Sequence, residues 1–208
     1  MGETTKPGPI IIGIGGVTSE VGKTTLLCDL LKFFPGWEAI KTTRGHYRSC
    51  GKDPHTCCVS DLLSEEPTVH TGYQLTYTAG KDTGRYWDAG AGNVHWVIAT
   101  DDQVEAGIKS ALTKVRAPGV FIEGNSFTEY VTPDYFVMVA KPGEVKIKAT
   151  ARRALKHATA FYLSADPAAT MTTLTNLAEN IPVFSASCLP QLVEHLKATS
   201  AALAVSAW

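Results

Sequence analysis

The stretch from Ile10 to Phe34 constrains this chain more than any other. A β-branched run, I-I-I-G-I-G from Ile10 to Gly15, leads into G-V-T-S-E-V-G-K-T-T from Gly16 to Thr25. An apolar-periodic segment from Gly22 to Phe34 follows, and Pro35-Gly36 stops it. The order predicts a buried strand, a glycine-bearing turn and a helix. Glycines let such a turn curl so that successive backbone N–H groups point inward at an anion. The positive end of the helix adds to that attraction. Lys23 supplies a point charge for β- and γ-phosphate oxygens, and the Thr24 hydroxyl is an oxygen ligand of the kind Mg²⁺ prefers. The expectation is a loop for a nucleoside triphosphate with Mg²⁺, built by Gly16, Thr18, Ser19, Glu20, Val21, Gly22, Lys23, Thr24 and Thr25. Five residues separate Gly16 from Gly22, one more than the common form of this loop.

The remaining chain alternates strands and helices. Strands are expected at Trp37–Thr42, Val94–Thr100, Gly119–Ile122, Tyr135–Ala140, Phe161–Ser164 and Pro182–Ser185. Helices are expected from Asp101-Asp102 to about Val115, at Lys146–His157, Ala168–Glu179 and Leu189–Ala198, with a short one near Val59–Leu63. From Thr43 to about Ala91 periodicity fades and Gly, Pro, Asp, Thr and Ser are frequent. Alternation of this kind calls for an α/β fold, a mostly parallel sheet with helices on both faces. The 208 residues fit one nucleotide-binding domain over 1–208, with an insertion at about 43–80.

In open parallel sheets ligands bind beyond the carboxyl ends of the strands. Lys41 closes the second strand and should face the same crevice as the loop. Glu123 ends the strand F-I-E-G-N, where a carboxylate can hold the magnesium shell or orient a water. Asp101 reads more simply as a helix cap. The segment Gly80–Ala91 reads as a polar loop in which Lys81 and Arg85 can meet phosphate and Asp82 can serve a metal or its waters. No base-reading N-K-x-D is present. Asp166, in S-A-D, is the candidate for that role, and S-A-S at Ser185–Ser187 has the form of a second guanine loop.

Net charge and hydropathy exclude several classes. The formal net charge is -1 with no dense Lys/Arg run, so no nucleic-acid partner is expected. No apolar stretch has the length to cross a bilayer, and Met1–Pro9 does not read as a secretion signal. A cytoplasmic location and no membrane association are expected. Five cysteines, an odd number, argue against a disulfide framework.

Together these motifs resemble the molybdopterin-guanine dinucleotide biosynthesis protein B family. The matching residues are G-K-T-T at Gly22–Thr25, Lys41, G-K-D-T at Gly80–Thr83, A-G-A at Ala89–Ala91 and E-G at Glu123-Gly124. They span roughly the first 125 residues. The resemblance implies a P-loop GTP-binding accessory protein with weak hydrolysis, often a homodimer, working with molybdopterin-related proteins. It places Lys23, Thr24, Asp82 and Glu123 nearest the chemistry. The longer loop is similar to that of dethiobiotin synthetase, around E-V-G-K-T, which implies an alternative: ATP-dependent activation of a small carboxylate held by Lys41 and Lys81. The chain departs from the first family in its T-T-R-G-H-Y after Lys41 and in a longer link from Lys41 to Gly80.

That link carries His46, Cys50, His55, Cys57 and Cys58. Thiolate and imidazole are ligands for Zn²⁺ and, in the case of cysteine, iron–sulfur clusters. Three readings stay open: a Zn or iron–sulfur site, a reactive thiol, or ordinary half-buried cysteines. A third function, a metal-binding scaffold switched by nucleotide, follows from the first of these. Cys28 and Cys188 read as core.

Overall fold

The computed structural model describes residues 8–45, 62–143, 146–166 and 180–206. One eight-stranded sheet runs through them. Its strands are β1 (Ile10–Gly16), β2 (Glu38–Arg44), β3 (Thr68–Thr71), β4 (Asn93–Ala99), β5 (Gly119–Glu123), β6 (Tyr135–Ala140), β7 (Ala160–Leu163) and β8 (Val183–Ser185). The order across the sheet is β3-β4-β2-β5-β1-β6-β7-β8. Every pairing is parallel except β3 against β4. The central strands β5 and β6 are buried along their whole lengths. That burial explains why G-V-F-I-E and Y-F-V-M-V-A run apolar instead of alternating: both faces of such a sheet are covered.

The described helices are α1 (Lys23–Leu31), α2 (Tyr73–Thr76), α3 (Asp82–Asp88), α4 (Val104–Lys114), α5 (Ala149–Ala154) and α6 (Leu189–Ser206). α4 packs on β2, β3 and β4, α1 on β1, β5 and α3, and α6 on β1 and β8. The parallel strands, their order of appearance and the closing helix match the sequence expectation. The short helix near Val59–Leu63 falls mostly outside the described residues, and the helix at Ala168–Glu179 wholly so.

Two segments differ from expectation. The described part of the segment expected to be irregular, after Thr43, contains a strand, β3, and a short helix, α2. The polar loop expected at Gly80–Ala91 is largely helix α3. Gly84, at its centre, presses on the Thr78 carbonyl, so that a Cβ there would lie 2.1 Å from that oxygen. A glycine in a helix interior weakens the local signal, and here close packing requires it.

At the amino end of the sheet, away from the loop, Glu38 and His95 form a buried pair at 2.6 Å. Glu38 Oε1 also accepts the backbone N–H groups of Arg116 and Ala117 at 2.9 and 3.0 Å. Thr71 Oγ1 meets His95 Nδ1 at 3.0 Å. This network ties β2, β3, β4 and the turn before β5 together, as buried polar groups require. No helix among the described residues is long and apolar enough to cross a membrane.

Candidate functional site

β1 and β6 are neighbours, and the chain runs from β1 toward β2 on one side of the sheet and from β6 toward β7 on the other. Such a reversal opens a crevice at the strands' carboxyl ends. The loop from Gly16 to Thr25 fills that crevice. Glu20 and Gly22 both take positive φ, 57° and 98°. This curl turns the backbone before α1 begins at Lys23, as a phosphate cradle requires. Val21 is buried and anchors the loop; Ser19 and Glu20 are exposed. Asn125, just past β5, clamps the loop's start. Its side chain accepts from Gly16 N–H and donates to Gly16 C=O, both at 2.9 Å.

The register of β2 on β5 sets Lys41 beside Glu123. Lys41 Nζ then bridges Glu123 at 2.7 Å and Asp82, from the start of α3, at 2.6 Å. Thr24 Oγ1 donates to Glu123 Oε2 at 2.8 Å. Tyr86, fully buried in α3, donates its hydroxyl to the same oxygen. Lys23, Thr24, Lys41, Asp82 and Glu123, drawn from β2, β5, α1 and α3, thus form one cluster at the mouth of the loop.

Its electrostatics follow from burial and proximity. Burial lowers the Lys23 pKa; Lys41 and Lys148 lower it further, against the opposing pull of Glu123 and Asp82. Burial also acts to lower Lys41, but Glu123 and Asp82 outweigh it and the net shift is upward. Burial acts to raise Asp82, and Lys41 outweighs it, leaving the carboxyl below its ordinary value. Burial, then Glu123, holds the Tyr86 phenol well above its usual range. Thr24, Glu123 and Asp82 bring a hydroxyl and two carboxylates together, an all-oxygen donor set that fits Mg²⁺.

Hollows among the described residues flank the cluster. One of about 190 Å³ is lined by Thr18, Ser19, Lys23, Arg44, Asn125 and Lys148, among others. Lys148 N–H donates to the Val17 carbonyl at 2.9 Å, and its ammonium donates to Ser19 Oγ. A second, about 240 Å³, lies toward β7 and is lined by Glu20, Val21, Gly22, Thr25, Tyr162 and Ser164, among others. A third, about 430 Å³, lies toward β4 and takes in Lys41, Lys81 and Asp82. Lys81 therefore faces the hollow beyond Lys41 and does not line the other two. Arg85 donates to Thr25 Oγ1 at 3.2 Å, joining α3 to the loop.

Asp166 follows β7, the second strand from β1 on that side. Its Oδ1 accepts from Ser187 N–H at 3.1 Å and Ser187 Oγ at 2.7 Å. The two segments proposed to read a base, S-A-D and S-A-S, are therefore in contact. Hydrogen bonds from Ser187 hold the Asp166 carboxyl below its ordinary value. His46, Cys50, His55, Cys57 and Cys58 lie outside the described residues. Among the described residues no group of three or more His, Cys, Asp or Glu side chains is placed to hold a metal.

Sequence reasoning missed Tyr86, Asn125 and Lys148. Each acts on a residue at least 37 positions away, so no local pattern announces it.

No protein-family model matches this sequence, and no curated protein does. Solved structures do match the fold. The ATP complex of LpxK from Aquifex aeolicus superposes with a TM-score of 0.51 at 18% identity, over 86% of this chain and 54% of that one. The chain thus spans about half the length of that relative. HypB from Helicobacter pylori, solved with nickel, gives 0.54 at 13% identity over 93% of this chain and 87% of that one. The fold is that of the P-loop NTPases. At such identities the likeness to these P-loop NTPases concerns the fold alone, and the chemistry rests on the residues above.

Proposed function

We propose that this chain binds GTP with Mg²⁺ and hydrolyses it slowly, acting as an accessory protein in attaching a guanine nucleotide to molybdopterin. The observation that carries the nucleotide site is the convergence of Lys23, Thr24, Lys41, Asp82 and Glu123 at the mouth of the loop. Guanine is favoured by the contact of Asp166 with Ser187. A carboxylate accepts from the two adjacent N–H donors on guanine's edge, a pair that adenine lacks. The molybdopterin role rests on the resemblance of the motifs through Glu123-Gly124, which also suggests a homodimer and molybdopterin-related protein partners.

In this reading the loop N–H groups and Lys23 hold the β- and γ-phosphate oxygens, and Lys148 adds a second cation on the Ser19 side. Thr24, Glu123 and Asp82 hold Mg²⁺ and its waters. The bound ion neutralises charge on the terminal phosphates. Catalysis is positioning plus electrostatic stabilisation, as phosphoryl transfer requires. Lys41 holds the Asp82 carboxyl below its ordinary value, which makes Asp82 a weak base toward an attacking water and is consistent with slow hydrolysis.

Calorimetric titration of GTP and ATP with Mg²⁺ into wild type and Asp166→Asn tests the base assignment. Wild type should prefer GTP, and the variant should lose most of that preference while keeping its ATP affinity. An unchanged preference would remove Asp166 from the base site. A wild-type preference for ATP would instead favour the second reading, a ligase or kinase. The hollow beyond Lys41 and Asp82 supports that alternative.

A further inference from the structure

The hollow of about 430 Å³ is not explained by a nucleotide. It lies toward β4, whereas Asp166, the proposed base reader, follows β7 on the other side of β1. A triphosphate held at Gly16–Thr25 with its base on the β7 side leaves this hollow free beyond Lys41. Its volume falls in the range of small-molecule sites.

The walls are built in place. Lys41 and Trp96 are register partners on β2 and β4, and Thr43 shares the Lys41 face of its strand. Trp96 Nε1 donates to Thr43 Oγ1 at 2.8 Å, and the His70 ring lies 5.8 Å from the indole. The indole is therefore pinned and its donor satisfied, leaving ring surface for stacking. Opposite, Thr78 is fixed by its contact with Gly84 at the centre of α3. Lys81 lines the hollow and makes no ion pair among the described residues, unlike Lys41, which is held by Asp82 and Glu123.

We propose that this hollow binds a second small molecule, a planar aromatic carrying a carboxylate or phosphate. Its ring lies on Trp96 and its anionic group meets Lys81. Lys41 and Asp82 form the wall shared with the triphosphate site, so the bound molecule sits beside the terminal phosphates. Stacking and a charge-assisted contact supply the affinity. This assignment rests on the triphosphate reading only for what lies across Lys41.

The test uses naphthoate and the uncharged naphthamide as probes, read by the Trp96 indole N–H resonance in a two-dimensional NMR spectrum. That resonance is the one absent from Trp96→Phe; unchanged Trp37 and Trp87 resonances show that this variant is folded. Naphthoate should shift the Trp96 resonance saturably, with and without GTP and Mg²⁺, and naphthamide should bind more weakly. Lys81→Ala, on an exposed side chain, should weaken naphthoate roughly threefold or more. Trp96→Phe should keep wild-type GTP affinity. The proposal is overturned if naphthoate gives no saturable shift, if Lys81→Ala leaves its affinity unchanged, or if GTP displaces it. Saturable naphthoate binding in a protein that binds no triphosphate would keep the site and sink only the nucleotide reading.

Discussion

Glu123 is the more buried of the site's two carboxylates, and its removal makes a quantitative prediction. Its side chain is 3% exposed and receives Thr24, Lys41 and the buried Tyr86 hydroxyl. Glu123→Ala strands Tyr86 with no partner and leaves Lys41 with Asp82 alone. Breaking a buried, hydrogen-bonded charge pair costs about 3–5 kcal/mol. For a chain of this size each kcal/mol shifts the melting temperature by roughly 2–4 °C, so Tm should fall by roughly 6–20 °C. The stranded phenol accounts for about 1–3 kcal/mol of that loss. Tyr86→Phe in the Glu123→Ala background should therefore be neutral or stabilising, although Tyr86→Phe alone destabilises. Calorimetric or fluorescence melts of the four proteins complete a double-mutant cycle. Additive losses in the double variant would refute the argument, because they would mean that the two side chains act independently.

Two further outcomes follow from the geometry. Lys148→Ala should weaken GTP binding several-fold more than GDP binding, because its ammonium reaches the loop on the Ser19 side; calorimetry with both nucleotides measures the ratio, and equal losses would assign Lys148 a purely structural role. Asp82 titrates below its ordinary 3.8 and Lys41 above its ordinary 10.5, so their ion pair contributes stability that is lost as pH falls through the folded Asp82 value or rises through the folded Lys41 value. The Tm difference between wild type and Lys41→Met should therefore be flat from about pH 5 to 9 and shrink below about pH 4; a difference that varies steadily across neutral pH would contradict this.

The residues that sequence reading located are those whose role is set by their neighbours in the chain. A strand, a glycine turn and G-K-T-T place Lys23 and Thr24 without reference to anything distant. Glu123 was legible because it ends a strand, and strand ends in a parallel sheet share one crevice. Lys41, expected to close its strand, instead lies inside β2, which runs on to Arg44, and it reaches the crevice through its register with Glu123. Tyr86 was hidden because its helix was: α3 is short, polar and broken in pattern by Gly84, and only its packing on Thr78 explains that glycine. β3 escaped notice because it is a four-residue edge strand whose antiparallel pairing with β4 is tertiary. Asn125 reaches Gly16 from 109 residues away, and the contact of Asp166 with Ser187 joins the ends of two neighbouring strands. No spacing rule foretells such contacts.

The central claim is that Gly16–Thr25 holds the phosphates of a nucleoside triphosphate. Calorimetric titration of Mg²⁺–GTP into wild type and Lys23→Ala tests it most directly. Lys23 supplies the loop's own cation, half-buried at its mouth and in no ion pair among the described residues, so its loss should leave the fold intact while removing the charge that the phosphates require. The account predicts saturable one-site binding by wild type and none detectable by Lys23→Ala, with equal melting temperatures in the absence of nucleotide. Wild-type affinity retained in Lys23→Ala would contradict it and place the nucleotide elsewhere.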